Sequence, residues 1–347
     1  MPRFARLRAT EVREVRPGLQ RMTLDDGSEA YAVTDLCGPI TLGDELLVNT
    51  AALDLGLGTG GAHAVHTNLS APHLGASHPA RVMKARYLSE QIGVEAVEEA
   101  VSNADGAGVP GDLPSLAGVR AVLCVLHSHA LALAAAVREA TGIAPGYVMT
   151  DGGALPFVLS DLAAVCLERG VIATAVSTGQ AFGAPMEAVT VASGVAAMAQ
   201  RHINRVVIAA GPGHLGTASP LGFSGLDLAG HAAVLDGLGA ATALAVRASS
   251  DDQRERHRGV SHHSRTVAAL SPRSTVVPVP ASMAAEPSDA SWIASLGERT
   301  VTVEPVPVAD ALIRMNLQVT SMGRPLERDG RACGWLGAAA AWLAATP

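Results

Sequence analysis

The stretch VRAVLCVLHSHALALAAAVREATGIAPGYVMTDGGA at residues 119–154 sets the architecture. It opens with a near-continuous apolar run (119–126), passes a polar His127-Ser128-His129 turn into an Ala-rich helix (130–141), and returns as a second apolar run (145–150). A strand without polar alternation is buried on both faces, and two such strands joined through a helix run parallel. The unit repeats downstream. Strands are expected at 171–177, 205–210, 241–247, 274–279 and 299–305, and helices at 154–169, 185–200, 225–238, 287–297, 307–314 and 331–345. Upstream, residues 8–50 alternate short apolar stretches with turn signals such as Asp26-Gly27, Cys37-Gly38 and Gly43-Asp44, the rhythm of a small antiparallel β unit or barrel. Residues 51–80 lose periodicity and carry GLGTGG at 56–61 and His63, His66, His73 and His78. The expected fold class is α/β: a doubly wound, mostly parallel, Rossmann-like sheet in residues 81–347, preceded by a small N-terminal β domain in residues 1–80 that ends in the Gly/His-rich loop.

Composition agrees with a layered α/β protein. The 347 residues are 48% hydrophobic but only 3% aromatic, so Ala, Val and Leu must fill the core. A net charge of −7, with no basic stretch interleaved with aromatics, argues against a nucleic-acid partner. The charged run Arg254–Arg258 is offset by Asp251, Asp252 and Glu255 and reads as a solvated loop. Cys37, Cys124, Cys166 and Cys333 show no CxxC spacing and are expected to be buried thiols. The N-terminus has no apolar core with a small-residue cleavage site and no later apolar run reaches spanning length, so a cytoplasmic protein without a membrane partner is expected.

In parallel sheets, ligands collect outside the carboxyl ends of the strands. Here those ends carry His127-Ser128-His129, Thr150-Asp151-Gly152-Gly153, Ser177-Thr178-Gly179-Gln180, and GPGHLGTASPLGFSG at 211–225. These segments, with RHRGVSHHS at 256–264 and TSMGR at 320–324, resemble a bacterial family described as domain of unknown function 3866. The likeness covers nearly the whole chain. It implies neither a reaction nor a catalytic residue.

The residues themselves narrow the chemistry. Gly211, Gly213 and Gly216 match GxGxxG after a strand, where backbone N–H groups approach a phosphate or carboxylate, or simply form a tight turn. A dinucleotide fingerprint fails because Thr217, Ser219, Pro220 and Gly222 prolong the loop, and Asp251 and Asp252 lie beyond the usual offset of about 20 residues. His127 and His129, read as i and i+2 on an extended strand end, would point to one side and hold a divalent metal, with Asp151, His214, His262 or His263 as a further ligand. Hydrogen-bonded histidines in a packed cleft would give the same pattern. Asp151 is a candidate general base, metal ligand or helix N-cap. Ser128 is a weak nucleophile candidate beside a capping role, and Glu187 reads as a dipole-stabilising acid in the first turn of a helix. Arg258, Ser261, His262 and His263 suit an anionic ligand or a subunit interface, and the ligand set is completed by His214, Thr217, Ser224, Gly179 and Gln180. A structural zinc at the histidines of 63–78 lacks Cys partners.

The sequence therefore points to a small-molecule enzyme, a hydrolase or transferase acting on an anionic substrate with metal assistance, using His127, His129 and Asp151. A non-catalytic metabolite sensor and a structural homo-oligomer are the alternatives.

Overall fold

The computed structural model describes residues 3–56, 61–71, 80–99, 113–283 and 287–345. His73, His78 and most of GLGTGG lie outside the described residues. The chain divides into two compact units, Met1–Glu95 and Ala96–Pro347.

In the first unit, β1 (Phe4–Arg16), β2 (Leu19–Leu24), β3 (Glu29–Val33), β4 (Glu45–Asn49) and β5 (His63–Asn68) close into a barrel in the order β1-β2-β3-β5-β4. Alternation places Ala9, Met22, Leu24, Ala30, Ala32, Leu46 and Val48 in its interior. The pairs are antiparallel except β3 with β5, which the long excursion through β4 allows to run parallel. A short hairpin, β6 (Val82–Lys84) with β7 (Ile92–Val94), ends the unit. His66 is held by Glu90, Nδ1 to Oε1 at 2.7 Å.

The second unit is built on β8 (Arg120–Cys124), β9 (Gly146–Thr150), β10 (Ala175–Ser177), β11 (Met186–Glu187), β12 (Arg205–Ala210) and β13 (Ala241–Ala245). They form one sheet in the order β11-β10-β9-β12-β8-β13, every pairing parallel. The helices are α1 (His127–Thr141), α2 (Asp161–Glu168), α3 (Val191–Gln200), α4 (Leu228–Gly237), α5 (His262–Leu270), α6 (Pro287–Leu296), α7 (Val308–Arg314) and α8 (Gly330–Ala344). Strand residues alternate between two cores. Val122, Cys124, Tyr147, Met149, Val207 and Ala209 pack with α1, α2, α7 and most of α8, while Leu123, Val125, Val148, Val206 and Ile208 pack with α3, α4 and α5. All four cysteines are buried free thiols. Among the described residues no helix is long and apolar enough to cross a membrane.

Three elements differ from the sequence expectation. The expected helix at 185–200 begins only at Val191, because Met186–Glu187 pairs with β10 as an edge strand. Glu187 is therefore no helix-dipole acid. Its carboxylate accepts from Ser177 Oγ at 2.8 Å and Gly183 N at 2.6 Å, bracing the turn after β10. The run at 274–279 meets the main sheet through one parallel bridge, Val276 beside Ala243 of β13, and neither it nor 299–305 continues as a further strand of that sheet. After a small antiparallel pair, β14 (Ala248–Ser249) with β15 (Gly259–Val260), the strands β16 (Val277–Pro280) and β17 (Thr300–Val303) pair with each other. Pro278 and Pro280 lack the N–H that continuation of the ladder beside β13 needs.

Candidate functional site

The expected His127/His129 pair does not form. The helix starts at His127 after Leu126, so these two residues lie on a helix rather than a strand end, roughly 200° apart around its axis at 3.6 residues per turn. Ser128 falls inside that first turn, and no side chain caps it. His129 is buried with Nε2 3.0 Å from Ser321 Oγ. His127 belongs to a closed chain of hydrogen bonds. Tyr147 O–H donates to the Ala210 carbonyl at 3.2 Å, so the Tyr147 oxygen receives His127 Nδ1–H at 2.8 Å. His127 Nε2 then accepts Ser160 O–H at 2.6 Å, and Ser160 Oγ accepts Ala163 N–H at 3.0 Å as the cap of α2. Burial pulls His127 down to about 4 and, with help from the nearby Arg247 charge, His129 down to about 3. Both are neutral, and His127 has no nitrogen to spare for a ligand.

Asp151 lies apart from them, past β9. Its Oδ2 accepts Gln180 N at 2.9 Å, and with Gly179, Thr150, Thr178, Thr190 and His231 it lines a cavity of about 420 Å³. Of the strand-end residues quoted from the sequence, Asp151 and Gly179 line this cavity, whereas His127 and Gly213 do not. The following glycines serve packing: a Cβ on Gly153 would lie 2.3 Å from the Gly211 carbonyl oxygen, and one on Gly211 would lie 2.5 Å from that of Ala154. The loops after β9 and β12 touch through bare backbone, and Ala154 N donates to Pro212 O at 2.7 Å.

The loop 211–225 then folds back on itself. Gly213 takes φ +85°, a left-handed conformation that favours glycine, and among the described residues the N–H groups of Gly213 and His214 meet no protein acceptor. Thr217 is used internally, its Oγ1 donating to Gly222 O at 2.9 Å. Ser224 Oγ accepts Leu215 N at 3.2 Å and lies 3.2 Å from His214 Nδ1.

His214 sits beside a second group of histidines from 256–264. Phe223 stacks on His263 with centroids 4.0 Å apart and planes 11° apart, and His214 and His263 are 5.2 Å apart between centroids. One ring nitrogen each of His257, His262 and His263 lies within 4.8 Å of the other two, a spacing compatible with a metal ion. Ser261 caps α5 and binds His257 Nδ1 at 2.7 Å, which anchors the group, while Arg258 is exposed. The Nε2 atoms of His214, His262 and His263 are buried without a partner.

Arginines surround this group. Arg247, 5% exposed, reaches His263 Nδ1 at 3.4 Å and Asp252 at 3.5 Å, and Asp252 also pairs with Arg254 at 2.9 Å and Arg324 at 3.7 Å. Burial pushes the Asp252 carboxyl up, but hydrogen bonds from Arg254 and the Arg254 and Arg247 charges outweigh it and hold the group well below the usual range. Burial, then the charges of Arg254, Arg324 and Arg256, pulls Arg247 down to about 10 despite Asp252. Burial first and Arg247 next pull His214 down to about 4 and His257 to about 3. His263 falls to about 2 through burial, His262 and Arg247. Uncharged imidazoles thus sit in a net positive field, which attracts an anion and opposes a cation.

Sequence reasoning singled out His214, Ser224, Ser261, His262 and His263 in this group. It missed Arg247 and Asp252, and it quoted His257 only within a motif. Arg247 follows directly on an apolar strand, where a charge must find a partner, and that was the available signal.

No curated protein and no solved structure matches the chain. One family model, described as protein of unknown function (DUF3866), matches residues 29–341 of the 347 and spans both the barrel strands from β3 onward and the whole histidine–arginine group. The chain belongs to the DUF3866 family.

Proposed function

We propose that this protein is a small-molecule enzyme of the hydrolase or transferase type that takes an anionic substrate at the loops 211–225 and 247–265, carried on a doubly wound sheet. One observation carries the reading: neutral imidazoles with buried, unpartnered nitrogens gather around Arg247, where the charges of Arg254, Arg324 and Arg256 add to its own and the Asp252 carboxylate opposes them. An anion entering that field satisfies both the charge and the orphaned groups. His262 is the candidate proton acceptor. Its Nδ1 faces the Arg256 carbonyl at 3.3 Å and must donate to it, which leaves a lone pair on the buried Nε2. Calorimetric titration with phosphate- and carboxylate-bearing metabolites and their neutral alcohol or amide counterparts tests the substrate class. Only the anions should bind; equal binding of the neutral compounds would sink the reading. Turnover of a bound anion that disappears in His262→Ala supports catalysis, whereas tight binding without turnover supports the sensor.

A second reading is favoured by the spacing of His257, His262 and His263, which suits a divalent transition metal. Stoichiometric metal in the purified protein, lost in His257→Ala, would establish it and displace His262 from the role of base.

A further inference from the structure

We infer that the cavity beside Asp151 is a second binding site, for a small organic cation: a primary ammonium group held by Asp151, Thr150 and His231, with its apolar body against Val189, Val191 and Val234. The inference is independent of the anionic substrate proposed above.

The cavity, of about 420 Å³, opens where β9 and β10 pass into their loops, at the carboxyl edge of the parallel sheet. Asp151 is exposed, so the site is reached from solvent. Its carboxylate is nevertheless fixed in place. Oδ2 accepts Gln180 N at 2.9 Å, and a Cβ on Gly179, which takes φ +65°, would overlap the carboxylate. Oδ1 meets no protein donor, and among the described residues Asp151 has no ion-pair partner.

Thr150 supplies a second observation. It is 6% exposed and lines the cavity, and among the described residues its hydroxyl makes no hydrogen bond to protein. Unlike the sealed imidazole nitrogens around His263, that hydroxyl is open to a partner from the cavity. His231, half-buried on α4, adds a third group, again with no hydrogen bond to protein among the described residues. Burial outweighs the Asp227 and Asp151 charges and holds its pKa below the ordinary value, so the neutral ring keeps a lone pair for a donor.

Charge selects the occupant. The charges acting on His231 are the carboxylates of Asp227 and Asp151, and no Lys or Arg lines the cavity. This reverses the field around Arg247. The amino end of α3 also reaches the cavity at Val191, but a helix dipole amounts to about half a unit charge against the whole charge of Asp151. A cation is attracted and an anion repelled. Among the described residues Asp151, Asp227 and His231 do not converge at metal-ligand spacing, and three valines line the walls, which suits an organic cation rather than a metal ion.

The test titrates butylammonium, 1-butanol and butyrate into the full-length chain labelled with ¹⁵N-histidine, at constant pH and ionic strength, with the His231 signal assigned by its loss in His231→Gln. Butylammonium should move that signal saturably, with a millimolar Kd for so small a probe. Butanol, the same body without the charge, should bind at least about tenfold more weakly, and butyrate should not bind. Asp151→Asn keeps an acceptor for Gln180 N and should weaken butylammonium at least about tenfold, while Thr150→Val should weaken it roughly threefold. A His231 signal that ignores butylammonium at about 0.1 M, far above a millimolar Kd, overturns the site. So does wild-type butylammonium affinity in Asp151→Asn, or butyrate binding as tightly as butylammonium, which would assign the cavity to an anion at the amino end of α3. Phosphate binding to the wild-type chain without amine binding removes this site and leaves the anionic-substrate reading; amine binding without phosphate binding does the reverse.

Discussion

Two groups of imidazole are built into the α/β unit, and they differ in one respect. In the group around His127, each proton has an acceptor, running from Ala163 N–H through Ser160, His127 and Tyr147 to the Ala210 carbonyl. In the group around His263, three Nε2 atoms have no partner, and a guanidinium lies where a second hydrogen-bonding residue would stabilise the ring. Both groups are buried and neutral, so neither burial nor a displaced pKa separates a structural histidine from a binding one. The completeness of the hydrogen bonding does. A closed network rigidifies the core, whereas an open one costs stability unless something else closes it.

The sharpest way to break this comparison is to remove one ring from each group. His127→Ala removes the acceptor of the Ser160 O–H and the donor to the Tyr147 oxygen, leaves a ring-sized cavity, and should cost about 3 kcal/mol of unfolding free energy. His263→Phe keeps the stack on Phe223 and deletes an unpartnered Nε2, but also removes the Nδ1 that accepts from Arg247 at 3.4 Å, so its cost should be about 1–2 kcal/mol, below that of His127→Ala. Urea unfolding of both variants is the measurement. A larger loss for His263→Phe than for His127→Ala would mean that the open group is the structural one.

Acid acts on the buried rings. His127 and His129 titrate at about 4 and about 3 in the folded chain, below the ordinary value of 6.5. The unfolded chain therefore binds more protons between those limits, and stability that is complete above pH 6.5 falls as pH drops toward 4. Each ring contributes at most about 1.4 kcal/mol per pH unit. The groups facing His129 include Arg247, which opposes protonation, and Asp329, which favours it; His127 faces the Ala210 carbonyl. Unfolding free energies measured from pH 7 to pH 4 should show this slope, and His127→Phe should flatten it. An unchanged slope would mean that His127 is not held neutral.

Much of this was legible in the sequence, and what was not has a physical cause. The unbroken apolar runs reported strands buried on both faces, and the glycine- and histidine-rich loops fell at their carboxyl ends, because burial and turn geometry are written locally. The edge strand Met186–Glu187 was not legible, since two residues carry no periodicity. The pairing of His127 with His129 failed on a shift of three residues: a helix starting at His127 instead of 130 turns two neighbours on a strand face into residues on different sides of a cylinder. Arg247 and Asp252, five residues apart, were not legible as a pair because no regular spacing marks an ion pair that reaches into the irregular turn between β14 and β15.

The smallest effect tests whether Asp151 belongs to either group. Its carboxylate, expected from the sequence to work with His127 and His129, instead holds Gln180 N at 2.9 Å beside Gly179, whose φ of +65° keeps that turn tight. Asparagine retains the accepting oxygen, so Asp151→Asn should change stability by less than about 1 kcal/mol. Phosphate affinity should change by less than about twofold, because the loops of 151 and 211–225 meet through backbone and Asp151 is not among the main charges acting on Arg247 or His263. Calorimetry on the variant decides it. A tenfold change in phosphate affinity would show that the Asp151 cavity and the loops 211–225 and 247–265 form one site, and a gain in affinity specifically would identify the carboxylate as the group that repels the wrong end of the substrate.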